Sequence, residues 1–137
     1  MGNSANQTTQ PVDVRIRLAA LWTATMMIFA YVDLFSLYRP DFRAALDQGQ
    51  VFVFDVGEPF LLGVTIYVMI PSLMIFLSLV MPRRISRVVN ITLASLYAIT
   101  IAGGAIGEWS YYVFGSAVEA VLLALVIGIS IRWRTTT

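Results

Sequence analysis

The sequence predicts an all-α protein, a four-helix transmembrane bundle, and its composition and apolar segments support this fold class. Apolar residues make up 58% of the 137-residue chain and charged residues 12%, against roughly 45–50% and about 25% in an average soluble domain. A helix of about 20 apolar residues crosses a bilayer, and such segments satisfy their backbone hydrogen bonds in lipid only as helices. Four segments qualify, and we expect spans at 18–38, 59–81, 88–107 and 112–131.

Prolines set the boundaries of the second span. Pro59 fits its first turn, where a missing N–H costs nothing, and Pro82 stops it. Pro71 lies inside this span and frees the backbone carbonyl of Tyr67, because proline has no N–H to donate. Between the first two spans, a short interfacial helix is predicted to start near Asp41, and residues 51–54 are expected to dip into the headgroup region.

The distribution of arginine predicts the orientation. Only Arg39 and Arg43 lie on one side of the predicted spans, and the other seven arginines lie on the opposite side. Because positive charge is enriched in cytoplasmic segments, we expect a multi-pass protein of the cell inner (plasma) membrane with both termini cytoplasmic. Residues 1–14 are expected to form a flexible cytoplasmic tail and residues 15–134 a single transmembrane domain.

Missing residue types exclude several classes of function. The chain has no cysteine and no histidine, so it has no disulfide, no thiolate ligand, no imidazole base and no usual zinc ligand. We therefore expect no enzyme activity, no metal site and no cofactor. The net charge of +1 gives no basic surface suited to nucleic acid, and the expected partner is the lipid bilayer.

Acidic residues gather toward the predicted outer face. Asp33 lies about 24 Å and Glu119 about 20 Å from the inner edge at the helical rise of 1.5 Å per residue, whereas Glu58 and Glu108 lie at the outer rim. A carboxylate inside a bilayer is costly and normally faces the bundle interior with a partner. Arg39 and Arg43 are the candidate cationic partners.

These acids predict a polar pocket that binds a cation or a proton. Carboxylates with aromatic faces suit a cation or a proton relay. The alternative is that Asp33 and Glu119 bond to hydroxyls or arginine for packing, while the rim residues are interfacial. The candidate pocket residues are Asp33, Glu119, Tyr31, Ser36, Tyr112, Ser116, Glu58 and Glu108.

Small residues describe how the helices pack. Ser116, Ala120, Ala124 and Gly128 form an i, i+4 stripe on the fourth span, and such stripes let helix backbones approach closely. We expect packing within one chain, and a homodimer face is the alternative.

A set of residues spread over all four predicted spans forms a recognisable pattern: Tyr31, Asp33, Pro40, Pro71, Met74, Leu77, Ser78, Arg87, Asn90, Tyr111, Tyr112, Glu119 and Trp133. In these residues the chain resembles a domain-of-unknown-function family of small bacterial four-helix membrane proteins. The resemblance runs from about Arg17 to Trp133, and it departs from the family pattern at 67–69, where the family more often has a Met-Glu pair. It implies the fold and the membrane location but no activity, because the family is uncharacterised.

Two functions remain open at this point. The expected one is a structural or accessory role in the inner membrane, with the polar residues serving packing. The alternative is a small transporter or cation/proton-binding protein that works through Asp33 and Glu119.

Overall fold

Five α-helices and a small β-hairpin form the structure. The computed structural model describes residues 12–133. Four helices are 22 or 23 residues long and apolar enough to cross a membrane, which confirms the predicted fold class. The elements in chain order are α1 (Val14–Ser36), α2 (Pro40–Asp47), β1 (Gln50–Val51), β2 (Phe54–Asp55), α3 (Glu58–Val80), α4 (Arg83–Gly104) and α5 (Ser110–Arg132).

Local capping explains where the helices differ from the predicted spans. The Asp13 carboxylate accepts a hydrogen bond from the backbone N–H of Arg15 at 2.8 Å, so α1 begins at Val14 rather than at 18. α4 begins directly after Pro82 rather than at 88, because proline is well suited to the start of a helix. The predicted tail at 1–14 lies, up to residue 11, outside the described residues.

Antiparallel helices give the bundle two chemically different ends. The starts of α1 and α4 meet the ends of α3 and α5, where the Arg15 guanidinium lies 5.3 Å from the Trp133 ring. We call this the basic end. At the opposite end, called the acidic end, Arg39 after α1 forms a salt bridge with Glu108 before α5 at 2.7 Å.

Helix α5 is the centre of the packing. It contacts α4 and α1 along much of its length, and α3 packs mainly against α1, whereas α3 and α4 have little backbone contact. A close approach of α1 and α5 lies at Gly115, where a Cβ atom would lie only 2.5 Å from Cγ2 of Val32. A larger residue fits there only if the Val32 side chain or one of the two helices shifts.

Two tyrosines connect α3 and α4 across their loose contact. The helix α3 continues through Pro71, and the carbonyl of Tyr67 that this proline frees accepts a hydrogen bond from the Tyr97 hydroxyl at 2.6 Å. The two rings also pack with centroids 4.7 Å apart. The Thr100 hydroxyl donates to the Tyr97 carbonyl, so the Tyr67 hydroxyl donates to Thr100 at 2.6 Å.

The connection between α1 and α3 contains α2 and the hairpin. α2 begins at Pro40, one residue from the predicted start of a short helix. The apolar segment 51–54 forms the turn of the hairpin, with Val51 paired to Phe54. Its tip residue Val53 is 88% exposed.

Candidate functional site

Glu119 is a buried carboxyl group with an oxygen that lacks a hydrogen-bond partner. The residue lies on the third turn of α5, about 14 Å from the acidic end of that helix, and only 2% of it is exposed. Its Oε1 atom has no hydrogen-bond partner among the described residues. Buried side-chain oxygens almost always have a partner, so this atom requires an explanation.

Asp33 is the second carboxyl group of the site. It lies in the last turn of α1, on the more exposed side of that helix, and its charge is close enough to interact with that of Glu119. Within residues 12–133, the salt bridges involve only Arg39 and its acidic neighbours. The carboxyl pair therefore has no cationic partner in the described part of the chain.

Two tyrosines lie within electrostatic range of the carboxyl pair. The charges of Asp33 and Glu119 reach both Tyr67 on α3 and Tyr112 on α5. The Tyr112 hydroxyl lies at the end of α4, 3.7 Å from where a Cβ atom on Gly104 would stand. Since Tyr67 donates its proton to Thr100, Tyr112 is the hydroxyl of the two with a proton left to donate.

A small cavity lies one helical turn deeper than the carboxyl pair. It is lined by Phe29, four residues before Asp33, and by Leu123, four residues after Glu119. The cavity has room for about one water-sized molecule. Its lining is mostly apolar and includes neither Asp33 nor Glu119, so it is a void in the packing beneath the carboxyl pair and not a site for an ion.

Arg39 ties together the segments at the acidic end. Its guanidinium donates to Glu108 at 2.7 Å and to Asp41 at 2.8 Å, and it stacks 4.1 Å from the centroid of the Trp109 ring. The hydrogen bond with Asp41 is the main cause that raises the pKa of Arg39 above its ordinary value, and it lowers the pKa of Asp41. Because Glu108 and Asp41 occupy Arg39, it is not the partner of Asp33 or Glu119 for which it was a candidate.

A second contact closes the same end between α1 and α5. The Ser36 hydroxyl donates to the carbonyl of Val32, so the Tyr111 hydroxyl donates to Ser36 at 2.8 Å. Tyr111 was not among the eight candidate residues, although its neighbour Tyr112 was. The helical register of α5 decides between them, since adjacent residues point about 100° apart.

The eight predicted residues separate into three groups. Asp33, Glu119 and Tyr112 lie within electrostatic range of one another, and Ser116 is buried one turn from Glu119. Ser36 and Glu108 belong to the contacts that close the acidic end. Glu58 is exposed at the start of α3, and Tyr31, 53% exposed, lines an apolar groove of about 450 Å³ between α1 and α5.

The sequence interpretation did not include a polar network in the basic half of the bundle. The side-chain oxygen of Asn90 accepts hydrogen bonds from Trp22 Nε1 at 2.7 Å and from Ser78 Oγ at 3.4 Å. The Asn90 amide nitrogen donates to the backbone carbonyl and to the hydroxyl of Ser86 at 2.8 and 3.0 Å. All four hydrogen-bonding positions of this amide are used. A single asparagine within an apolar span was the available signal.

No metal-binding cluster is found in the part of the chain that the structure describes. Residues 12–133 contain no group of three or more His, Cys, Asp or Glu side chains placed to hold a metal ion. The carboxyl pair offers two acidic side chains, one of them exposed.

The family of the chain follows from a sequence comparison. Residues 12–137 match a family described as a family of unknown function (DUF6326). The chain belongs to this family. The match is longer at both ends than the stretch from Arg17 to Trp133 on which the resemblance was based, and the family description names no activity. The comparisons with curated proteins and with solved structures find no match.

Proposed function

We propose that this multi-pass membrane protein is a small transporter or cation/proton-binding protein that binds its ion at Glu119 and Asp33. Glu119 is the binding group, and Asp33, which is more exposed, connects it to the acidic end. On this proposal the chain is not an enzyme and requires no cofactor.

The partnerless oxygen of Glu119 is the observation that carries this proposal. A carboxyl group kept only for packing bonds to a hydroxyl or an arginine, because an unsatisfied buried polar atom costs about 1–3 kcal/mol. Glu119 Oε1 has no such partner among the described residues. The salt bridges found among those residues join Arg39 to Glu108 and Asp41. A bound proton or cation supplies the missing interaction.

The burial of Glu119, which is 2% exposed, favours a proton or a small monovalent cation over an organic cation. The cavity one turn deeper, which neither carboxyl group lines, has room for about one water-sized molecule, whereas sites for drug-sized molecules measure roughly 300–1,000 Å³. The tyrosines at the pair add hydroxyl groups that can solvate a small ion.

A structural or accessory role is the second candidate. It is favoured by the saturated Asn90 network, which is the pattern of a polar group used for packing. This network lies in the basic half, away from the carboxyl pair. The small residues of α5 support packing within the chain, and a homodimer through such a face belongs to this second candidate.

We place the basic end on the cytoplasmic side of the inner membrane. Of the nine arginines, seven belong to this end by their position in the sequence, and Asp13 is the one acid there. Positive residues are enriched on the cytoplasmic side. A reporter enzyme fused after Thr137 should be active only in the cytoplasm, and activity on the opposite side would reverse this orientation.

The binding proposal is tested with Glu119→Gln, which keeps the size of the side chain and removes its ionisable group. Infrared difference spectra of the purified protein, recorded on changing pH and then on adding a monovalent cation, should show a carboxyl signal that Glu119→Gln abolishes. Asp33→Asn should weaken the response, since Asp33 adds a second negative charge near the bound ion.

Glu58→Gln is the matched control. Glu58 is an exposed carboxylate at the start of α3, so its replacement should leave the pH-dependent or cation-dependent signal of Glu119 unchanged. An undiminished signal in Glu119→Gln would refute the proposal. So would variants of Asp33 and Glu119 that only lower expression while the response stays intact, and the packing role would then be correct.

A further inference from the structure

Three arginines converge on the last turn of α5 at the basic end. Arg83 donates to the carbonyl of Trp133 at 2.7 Å, and Arg87 donates to the carbonyls of Ser130 and Ile131 at 2.8 and 3.0 Å. The Arg15 guanidinium from α1 lies over the Trp133 ring. We call Arg15, Arg83 and Arg87 the arginine triad. It joins residues of α1 and α4 around the end of a third helix.

The triad carries more positive charge than its contacts neutralise. The end of a helix has about half a negative charge, which compensates only part of three guanidinium charges. Within residues 12–133, the triad forms no salt bridge, because the ion pairs found there belong to Arg39. The nearby acid, Asp13, accepts from the backbone N–H of Arg15.

The triad also keeps hydrogen-bond donors that no residue between 12 and 133 uses. A guanidinium has five N–H donors. Arg83 uses one of them and Arg87 two for the carbonyls of α5, and Arg15 is held by its stacking on Trp133. Guanidinium groups with free donors bind phosphate oxygens in pairs of parallel hydrogen bonds.

The position of the triad selects a lipid as the source of the phosphate. Its residues lie at the starts of two membrane-length helices and contact the end of a third, the level at which headgroups surround a bundle, and tryptophans such as Trp133 favour that level. Basic clusters between helices at this level bind anionic headgroups. Three further exposed arginines, Arg17, Arg84 and Arg132, flank the triad.

We propose that the arginine triad binds the phosphate of an anionic phospholipid headgroup, with Trp133 packed beside the lipid. The headgroup neutralises the excess charge and bridges α1 and α4 across the end of α5. This site is independent of the carboxyl pair, which lies toward the opposite end of the bundle.

The test uses Arg15→Gln, because Arg15 donates no side-chain hydrogen bond to the helix end and its replacement leaves the α5 carbonyls satisfied. The purified full chain in neutral detergent is titrated with phosphatidylglycerol, and bound lipid is counted by native mass spectrometry. Each arginine near a membrane surface contributes enough for about fivefold in affinity. We expect Arg15→Gln to weaken binding about fivefold and phosphatidylcholine to bind weakly to both proteins.

Arg43→Gln is the control, since Arg43 is an exposed arginine of α2 at the acidic end and its replacement should not change the affinity. Equal weakening by Arg15→Gln and Arg43→Gln would mean attraction by net charge alone and would overturn the site. Unchanged binding in Arg15→Gln would also overturn it. Inorganic phosphate is the third arm, and displacement of the lipid by phosphate at equal concentration would assign the triad to a soluble anion instead.

Discussion

The basic and acidic halves of the bundle each bury a polar side chain, but the two side chains differ in how completely they are hydrogen-bonded. In the basic half, Asn90 uses all four of its hydrogen-bonding positions on Trp22, Ser78 and Ser86. In the acidic half, Glu119 is equally buried, yet its Oε1 has no partner among residues 12–133. The basic half has one comparable exception, the hydroxyl of Ser130, but a neutral hydroxyl costs far less to bury than a carboxylate.

This difference separates the residues that hold the fold from those available for a ligand. A saturated amide has no capacity left for another molecule, so the Asn90 network stabilises one arrangement of α1, α3 and α4. The carboxyl of Glu119 keeps its binding capacity inside a bundle that the other half holds in place. The two halves therefore respond differently to the same kind of substitution.

The largest expected effect comes from replacing each of these polar side chains by leucine. Asn90→Leu leaves the Trp22 N–H without an acceptor and should lower the free energy of unfolding by about 1–3 kcal/mol. Glu119→Leu removes an unsatisfied group and should raise it by up to about 1 kcal/mol. Titration with a denaturing detergent measures both values, in the absence of added cation.

Thr92→Leu is the control for the first of these changes, because Thr92 is an exposed polar residue on the same helix as Asn90. Its replacement should leave stability nearly unchanged. If Glu119→Leu destabilised the protein as much as Asn90→Leu, the comparison between the halves would fail, because Glu119 would then have a stabilising partner.

A smaller effect is expected at the rim of the acidic half. Arg39→Gln removes the salt bridge to Glu108 and the stacking on Trp109, and it should lower the free energy of unfolding by about 1–2 kcal/mol, as expected for a partly buried charged hydrogen bond. Arg43→Gln on the exposed side of α2 should have little effect, and equal losses in the two variants would argue against a specific contact.

The loss of stability in Arg39→Gln should depend on pH in a defined direction. Arg39 lowers the pKa of Asp41 in the folded protein, so the Asp41 contact contributes fully above the ordinary aspartate pKa of about 4. Its contribution disappears as the pH falls through the lowered value. The stability difference between wild type and Arg39→Gln should therefore narrow in strong acid, and a difference that widened there would contradict this assignment.

Sequence reasoning placed the helices because hydropathy over about 20 residues is a strong signal. It placed the starts of α1 and α4 four or five residues too late. Both helices begin directly after Asp13 and Pro82 and so include the arginines that precede the apolar segments. The presence of α2 was predicted from Pro40 and Asp41, but the hairpin was not, because strands of two residues leave no periodic pattern.

The candidate site was only partly accessible to the same reasoning. Depth along a helix follows from residue number, so Asp33 and Glu119 were placed near one end of the bundle. The direction of each side chain depends on helix rotation, which the sequences of α1 and α5 do not define, because apolar residues lie on all sides of both helices. For this reason Tyr31 was included although it lies in the outer groove, and the pairing of Trp22 with Asn90, 68 positions apart, was not predicted.

The Tyr97 hydroxyl donates to the Tyr67 carbonyl that Pro71 frees. The effect of a substitution at position 97 therefore depends on which residue stands at position 71. While Pro71 is present, replacement of Tyr97 by phenylalanine leaves the Tyr67 carbonyl without this hydrogen bond. If Pro71 is first replaced by alanine, the new backbone N–H at position 71 donates to the Tyr67 carbonyl. That carbonyl then no longer needs the Tyr97 hydroxyl. Tyr97→Phe is thus tolerated after Pro71→Ala, whereas it destabilises the protein when it comes first.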